Sequence, residues 1–416
     1  MAANIEVHID FAFGLKRVGT LYRHSSRGEE TTTFEYHDAW LADPARFSLE
    51  PALTLGPGPF SPRQGKSIFG SIGDSAPDTW GRQLMQRRER RAAEQENRQV
   101  RTLMEADFLL GVSDTSRLGA LRFRCEGEQE FRELSSTGVP GLVQLGNLLT
   151  ATERIDRGDE TDDDLQMIFA PGSSLGGARP KASIIDQHGR LSIAKFPKSN
   201  DSYSIERWEA IALGLAKQAG IDTPDFELLA SDDKQILLSR RFDRQDGNRV
   251  PFLSALSMMG LKDGEKGSYP EIVDTLAEHG SQVGKDAVQL FRRMAFNVLI
   301  SNDDDHLRNH GFLWQSAKGW ALSPAYDLNP VPVDVRQRIL TTKISLDDGT
   351  CDIGLVLSVA EYFSLALADA KQIIREVAHA TSAWRDMAKQ YGAPPAEIRR
   401  MESAFEHDDL RNALSY

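Results

Sequence analysis

Asn302-Asp303-Asp304-Asp305-His306-Leu307-Arg308-Asn309 sets an aspartate, Asp304, ahead of an asparagine, Asn309, and Leu322-Ser323-Pro324-Ala325-Tyr326-Asp327 follows. Leu290, Phe291, Met294, Ala295, Val298 and Leu299 recur at helical spacing and predict a buried helix face leading into the first stretch. Phe312-Leu313-Trp314 and Trp320-Ala321-Leu322 flank Ser316-Ala317-Lys318-Gly319 and predict a hairpin. A hairpin returns the chain to its start, so Asp327 is expected beside Asn309. Phosphoryl transfer from ATP needs such a set: one carboxylate, Asp304, for the acceptor hydroxyl, and an amide oxygen and a second carboxylate, Asn309 and Asp327, for Mg2+. A calcium loop would need alternating acids, a glycine and a distal glutamate, which this run lacks.

Upstream, Gly172-Ser173-Ser174-Leu175-Gly176-Gly177-Ala178-Arg179-Pro180-Lys181 is glycine-rich. Glycines let backbone N–H groups approach phosphates, and Lys181 or Arg179 can add charge. The run matches neither the Walker pattern nor the glycine loop of eukaryotic protein kinases, and taken alone an ordinary flexible loop is the better reading. It precedes two expected strands, Ala182–Asp186 and Leu191–Phe196, with a turn at Gln187-His188-Gly189-Arg190. Lys195 near the end of the second can reach ATP phosphates if an acid holds it. Glu209 borders the helical stripe Ile205, Trp208, Ala212, Leu215 and Ala219 and is the candidate acid; the plainer reading is a snorkelling lysine and a solvated glutamate. Gly220 is a plausible cap for that helix. Ser239-Arg240-Arg241-Phe242-Asp243-Arg244 follows a strand at Gln235–Leu238, where an inter-lobe hinge would read adenine or a simple connector would run.

The 416 residues suffice for two or three packed units. Residues 5–36 are expected to be strand-rich, Gly56-Pro57-Gly58-Pro59 a loop, 78–110 helical and 117–125 a strand. The acidic run Asp156–Asp164 is expected on the surface, and from about 250 the chain reads as mostly helical outside the hairpin. Net charge is -12, which argues against a general nucleic-acid binder. Arg82, Arg87, Arg88, Arg90, Arg91, Arg98 and Arg101 form one basic patch, readable as a solvated charged helix or as a face for phosphates or a partner. Cys125 and Cys351 are too few for a disulfide framework or zinc site. The first residues lack a signal-peptide pattern, and no apolar run approaches the roughly 20 residues that span a bilayer, so a cytoplasmic protein with no membrane partner is expected.

Together these motifs resemble the HipA family of serine/threonine-kinase toxins from bacterial type II toxin–antitoxin pairs. Ser174-Leu175-Gly176-Gly177-Ala178-Arg179-Pro180-Lys181 resembles its phosphate loop. Asp304-Asp305-His306-Leu307-Arg308-Asn309 is similar to its catalytic loop, and Pro324-Ala325-Tyr326-Asp327 to its metal motif. Arg241-Phe242-Asp243-Arg244 resembles its hinge, and Ala76-Pro77-Asp78-Thr79-Trp80-Gly81-Arg82 an N-terminal family segment. The resemblance implies an α+β, bilobed, protein-kinase-like fold. It would comprise a β-rich N-terminal subdomain (1–115), a kinase N-lobe-like region (116–245) and an all-helical C-terminal lobe (246–416).

It also implies roles. Asp304 would be the base, Asn309 and Asp327 the Mg2+ ligands, Lys195 the ATP lysine supported by Glu209, and Phe242 the mark of the adenine-reading backbone. Ser174, Gly176, Gly177 and Lys181 would line the ATP phosphates, and Ser174 would be autophosphorylated, adding negative charge that switches the enzyme off. Asp305 stands where the family has glycine and is expected to add charge beside the metal. The implied partners are a HipB-like helix-turn-helix antitoxin, operator DNA mainly through it, and a protein of translation such as an aminoacyl-tRNA synthetase. Two other readings stand beside this one: a weakly catalytic co-repressor bridging antitoxin dimers on DNA, and a small-molecule kinase of similar fold.

Overall fold

The alternating run from Ile5 becomes strand β1 (Ile5–Phe11), with Ile5, Val7 and Ile9 fully buried. β2 (Gly14–Ser26), β3 (Glu29–Tyr36), β4 (Pro59–Phe60) and β5 (Leu121–Cys125) complete an antiparallel sheet in the order β4-β3-β2-β1-β5. The polar face of β1 is covered too: Glu6 accepts from Arg124 Nε at 2.7 Å, and Phe131 meets His8 edge-on. Gly19 is required where β2 crosses β3, because a Cβ there would lie 2.3 Å from the Glu35 carbonyl oxygen.

The structure, a computed structural model, describes residues 4–26, 28–133, 138–169, 177–231, 233–316 and 318–416. Contacts divide the chain into two compact units, Met1–Asn200 with Leu238–Leu253, and Asp201–Leu237 with Ser254–Tyr416. Unit 1 holds the five-stranded sheet and the hairpin of β6 (Lys181–Ile185) and β7 (Leu191–Lys195), paired from Lys181↔Lys195 to Ile185↔Leu191. In unit 2, β8 (Phe226–Ser231) is hydrogen-bonded to β9 (Lys234–Arg240), along which the chain passes back into unit 1.

Helices dominate unit 2. The stripe from Ile205 forms the helix Ile205–Gln218, which buries Trp208 against Trp384 and Phe405, with ring centroids 6.2 and 6.1 Å away. The helix Tyr269–His279 begins with a capping box from Ser268 and Glu271. It packs beside Val283–Leu299, whose Leu290, Phe291, Met294, Ala295, Val298 and Leu299 are fully buried. No helix among the described residues is long and apolar enough to cross a membrane.

Several expectations change. The helix expected over 78–110 is two, Thr79–Gln95 and Glu105–Leu110, parted where Asn97 takes the left-handed conformation (φ 50°). The strand expected over 117–125 starts at Leu121, because Arg117 and Gly119 turn inward to serve a buried network. β8 was not anticipated. The acidic run is only partly on the surface: Glu160 and Asp164 are buried, Asp164 accepting from Thr161 N at 2.8 Å and Glu160 taking Arg87 at 3.3 Å. The expected hairpin is β10 (Gly311–Ser316) and β11 (Gly319–Leu322), but residues 323–352, expected to be mostly helical, contain no helix.

The basic patch is largely spent within unit 1. Arg82 makes two 2.7 Å bonds to Glu105, Arg87 donates to Ile155 O at 2.7 Å, Arg91 pairs with Asp162 and Arg98 with Glu89. These pairs favour the reading of a charged helix docked by its own acids over a face reserved for phosphates.

Candidate active site

The catalytic-loop candidate grows from the end of the helix Val283–Leu299. Ser301 takes the left-handed conformation (φ 55°), and its hydroxyl is fixed by Ala404 O (2.8 Å) and Arg338 Nε (2.9 Å). Beneath the loop runs a buried polar chain. Asn302 Nδ2 donates to Asn297 Oδ1 at 3.0 Å, Asn297 Nδ2 to Tyr269 Oη at 2.9 Å, and Tyr269 Oη to Asp305 Oδ2 at 2.5 Å. Asp305 Oδ1 lies 3.1 Å from His310 Nε2. Burial, and then the Asp305 carboxylate, push the Tyr269 phenol well above its ordinary range, so it stays a donor. The Asp305 side chain is therefore turned into the core of unit 2.

Asp304 points the other way, with its side chain 62% exposed. Arg336 bridges it to Asp303, with Nη1 3.6 Å from Asp304 Oδ1 and 3.4 Å from Asp303 Oδ2. Burial raises the Asp303 carboxyl above its ordinary range, against the pull of Arg336. Asn309 closes a short 3-10 turn, Leu307–Asn309, and its side-chain amide donates to Asp304 O at 3.1 Å.

The strands β10 and β11 pair Trp314 with Trp320 and bring the second motif back. Ser323 N then bonds Gly311 O (2.8 Å), Tyr326 Oη donates to Arg308 O (2.6 Å), Asn329 N to Asn302 Oδ1 (3.3 Å) and Val331 N to Ser301 O (3.3 Å). Asp327 sits between these stitches in the left-handed conformation (φ 60°), with Asn329 Nδ2 on its Oδ1 at 3.2 Å. Backbone strain in a non-glycine residue persists only where its surroundings enforce it. The two motifs thus meet in unit 2. Sequence reasoning missed Arg336, Asn329 and Tyr269; Asn329 lies two residues past Asp327, while Tyr269 and Arg336 reach partners 36 and 33 positions away.

The remaining candidates are placed as follows. Lys195 ends β7 in unit 1, directly across the ladder from Lys181. Glu209 is 3% exposed in the helix Ile205–Gln218 of unit 2. Gly177 has φ 117°, while Ser174 and Gly176 lie outside the described residues. Lys181, expected at the phosphates, is buried and bonds Asp78 Oδ2 at 2.8 Å.

Phe242 is half-buried in unit 1, 6.2 Å from the Phe252 ring. Its neighbours form a clamp. Asp243 Oδ1 accepts from Arg241 Nε (2.6 Å), and its Oδ2 from Arg241 Nη2 (2.5 Å), Arg244 Nη1 (2.7 Å) and Gly119 N (2.7 Å). Burial alone would raise the Asp243 carboxyl, but Arg241 and Arg244 hold it well below the usual range. In this segment the charged side chains brace unit 1.

Comparison with known proteins places this geometry. A family model described as the HipA N-terminal domain matches residues 10–106, and one described as the HipA-like C-terminal domain matches residues 173–384. The chain is 29% identical over 151 residues to "Putative kinase Y4dM" of Sinorhizobium fredii, covering 33% of this chain and 36% of that protein. It is 24% identical over 188 residues to a "Putative kinase" of Haemophilus influenzae, covering 39% of this chain and 54% of that one. These matches therefore span only 36% and 54% of the two relatives' lengths. Among solved structures, HipA from the Shewanella oneidensis HipA, HipB and operator DNA complex superposes with a TM-score of 0.70 at 16% identity, covering 99% of this chain and 97% of that one. That likeness is one of fold.

Proposed function

Because this chain belongs to the HipA family, we propose that it is an ATP- and Mg2+-dependent serine/threonine protein kinase and the toxin of a HipBA-type toxin–antitoxin module. The observation that carries this reading is the stitching of the two motifs, through Tyr326 Oη on Arg308 O and Asn329 N on Asn302 Oδ1. A fold that only bridged partners would need neither.

In this reading Asp304 accepts the proton of a serine or threonine hydroxyl as its oxygen bonds to the γ-phosphorus of ATP and the bond from that phosphorus to the ADP oxygen breaks. Asn309 and Asp327 would hold Mg2+, which supplies positive charge for the phosphate oxygens. The donors suit that ion: both are hard oxygen ligands, and two further buried acceptors of the same loops, Asp303 Oδ1 and Asn329 Oδ1, accept no hydrogen bond from another residue among the described residues. Among the described residues no three His, Cys, Asp or Glu side chains form a metal cage; Mg2+ needs only one or two carboxylates because it keeps several waters. Lys195 would meet the ATP phosphates beside Gly176 and Gly177, and the backbone at Phe242 would read adenine. Ser174 would be the autophosphorylation site that turns the enzyme off.

The module reading is supported by the fold shared with a HipA solved together with HipB and operator DNA. The partner of this chain would be a HipB-like helix-turn-helix antitoxin, which brings it to DNA, and its target a component of translation. Induced expression in bacteria tests the toxin half. The parent should arrest growth, Asp304→Ala should not, and a co-expressed antitoxin from the same operon should restore growth. Unimpaired growth with abundant folded parent would overturn it and favour a co-repressor.

A further inference from the structure

Asp78 is the N-cap of the helix Thr79–Gln95, its Oδ1 accepting from Gly81 N at 2.7 Å. Capping uses one carboxylate oxygen. The other accepts from Lys181 Nζ at 2.8 Å, in a pair whose side chains are 2% and 5% exposed. Lys181 is the last residue of the glycine-rich run and the first of β6. Gly177, in the same run, offers its carbonyl to Trp80 N at 3.5 Å. A Cβ on Gly177 would stand 2.9 Å from Lys181 Nζ, so only glycine lets the lysine reach the acid without a shift.

The ladder gives this pair its consequence. Lys181 lies directly opposite Lys195, and like charges facing each other across a sheet destabilise it. A carboxylate on Lys181 cancels one of the two charges.

We propose that Asp78 is a positioning residue for nucleotide binding: it neutralises Lys181 and ties the exit of the glycine-rich loop and the β6–β7 strand ends to the N-terminus of the helix Thr79–Gln95. This rests on the kinase reading and gives the N-terminal segment a part in it. Lys181 is then a structural cation and not a phosphate ligand.

The test is calorimetric titration of the full chain with Mg·ATP. Asp78→Asn keeps an acceptor for the Gly81 amide and removes the charge. It should weaken ATP binding about tenfold or more, as small displacements of binding groups do. Lys181→Met should weaken it similarly, and the double variant should be no worse than either single one, because both act through one contact. Glu105→Gln, which breaks the Arg82 pair on the same helix, should leave ATP binding unchanged.

Parental affinity in Asp78→Asn, or single losses that simply add, would overturn the proposal. Should Asp78→Asn not fold, the neutral double variant carries the test, since it leaves no unpaired buried charge. It should then bind ATP about tenfold or more weakly than the parent, and parental affinity overturns the proposal. If the parent binds no ATP, the kinase reading fails by itself, and amide exchange over Lys181–Ile185 decides the positioning role. Faster exchange in Asp78→Asn than in Glu105→Gln sustains it, and equal exchange overturns it.

Discussion

Replacing Asp243 by alanine should cost unit 1 about 3–5 kcal/mol, the range for stripping one partner from a buried ion pair. The carboxylate is 1% exposed and takes four donors, two from Arg241 and one each from Arg244 and Gly119. Arg241 is 0% exposed, so water cannot replace the lost charge. Arg241 keeps Ser116 O and Arg117 O at 2.8 and 3.0 Å, which places the expected cost in the lower half of that range. The folded carboxyl lies below its unfolded value, so this stabilisation is fully present above the unfolded value of about 3.9 and is lost as pH falls through the folded one. At pH 7 the whole effect is measurable.

Because the chain has two compact units, a single melting curve does not assume one transition. The assay is urea unfolding with amide exchange at Gly119, whose N–H donates to Asp243 Oδ2, and at Val250, whose N–H donates to Asp243 O. Both amides should exchange faster in Asp243→Ala. A loss under about 1 kcal/mol, the worth of an exposed pair, with unaltered exchange would refute the clamp.

Two further predictions concern unit 2. Burial, reinforced by Arg338, lowers His407 to about 4 against the pull of Asp409, so its folded form is neutral. Stability from it is full above pH 6.5 and falls by roughly 3 kcal/mol as pH drops toward 4; His407→Gln should flatten urea-derived stability across that window, and an unaltered slope would contradict the assignment. Tyr326→Phe removes the 2.6 Å bond to Arg308 O. It should raise the Mg2+ concentration needed for half-maximal phosphotransfer about tenfold while costing about 1 kcal/mol of stability; an unchanged Mg2+ requirement would show that the stitch does not position Asp327.

What could be read from the sequence was what lies close along the chain. The β6–β7 hairpin follows from two apolar runs around Gly189, and the helix Val283–Leu299 from a stripe of buried positions. The approach of the two motifs, with Tyr326 Oη on Arg308 O, followed from the return of the strands β10 and β11. Contacts between distant residues were not legible. Asp78 and Lys181 are 103 positions apart, and Gly119 and Asp243 are 124. Residues 323–352 carry no periodicity because side-chain and backbone bonds hold them, such as Thr341 N to Asp303 O and Thr342 N to Asp305 O. The inward turn of Asp305 was hidden for the same reason, since Tyr269, its partner, lies 36 residues earlier.

The most direct test of the central claim is single-turnover transfer from labelled Mg·ATP, comparing the phosphatase-treated parent with Asp304→Ala, Asn309→Ala and Asp327→Ala and mapping the phosphate by mass spectrometry. The account predicts label on serine or threonine of the parent, Ser174 included, and a fall of about a hundredfold or more in Asp304→Ala, as befits loss of a general base. It predicts losses in the other two that excess Mg2+ partly repairs. Equal labelling in all four proteins, or none in a folded parent, would contradict it.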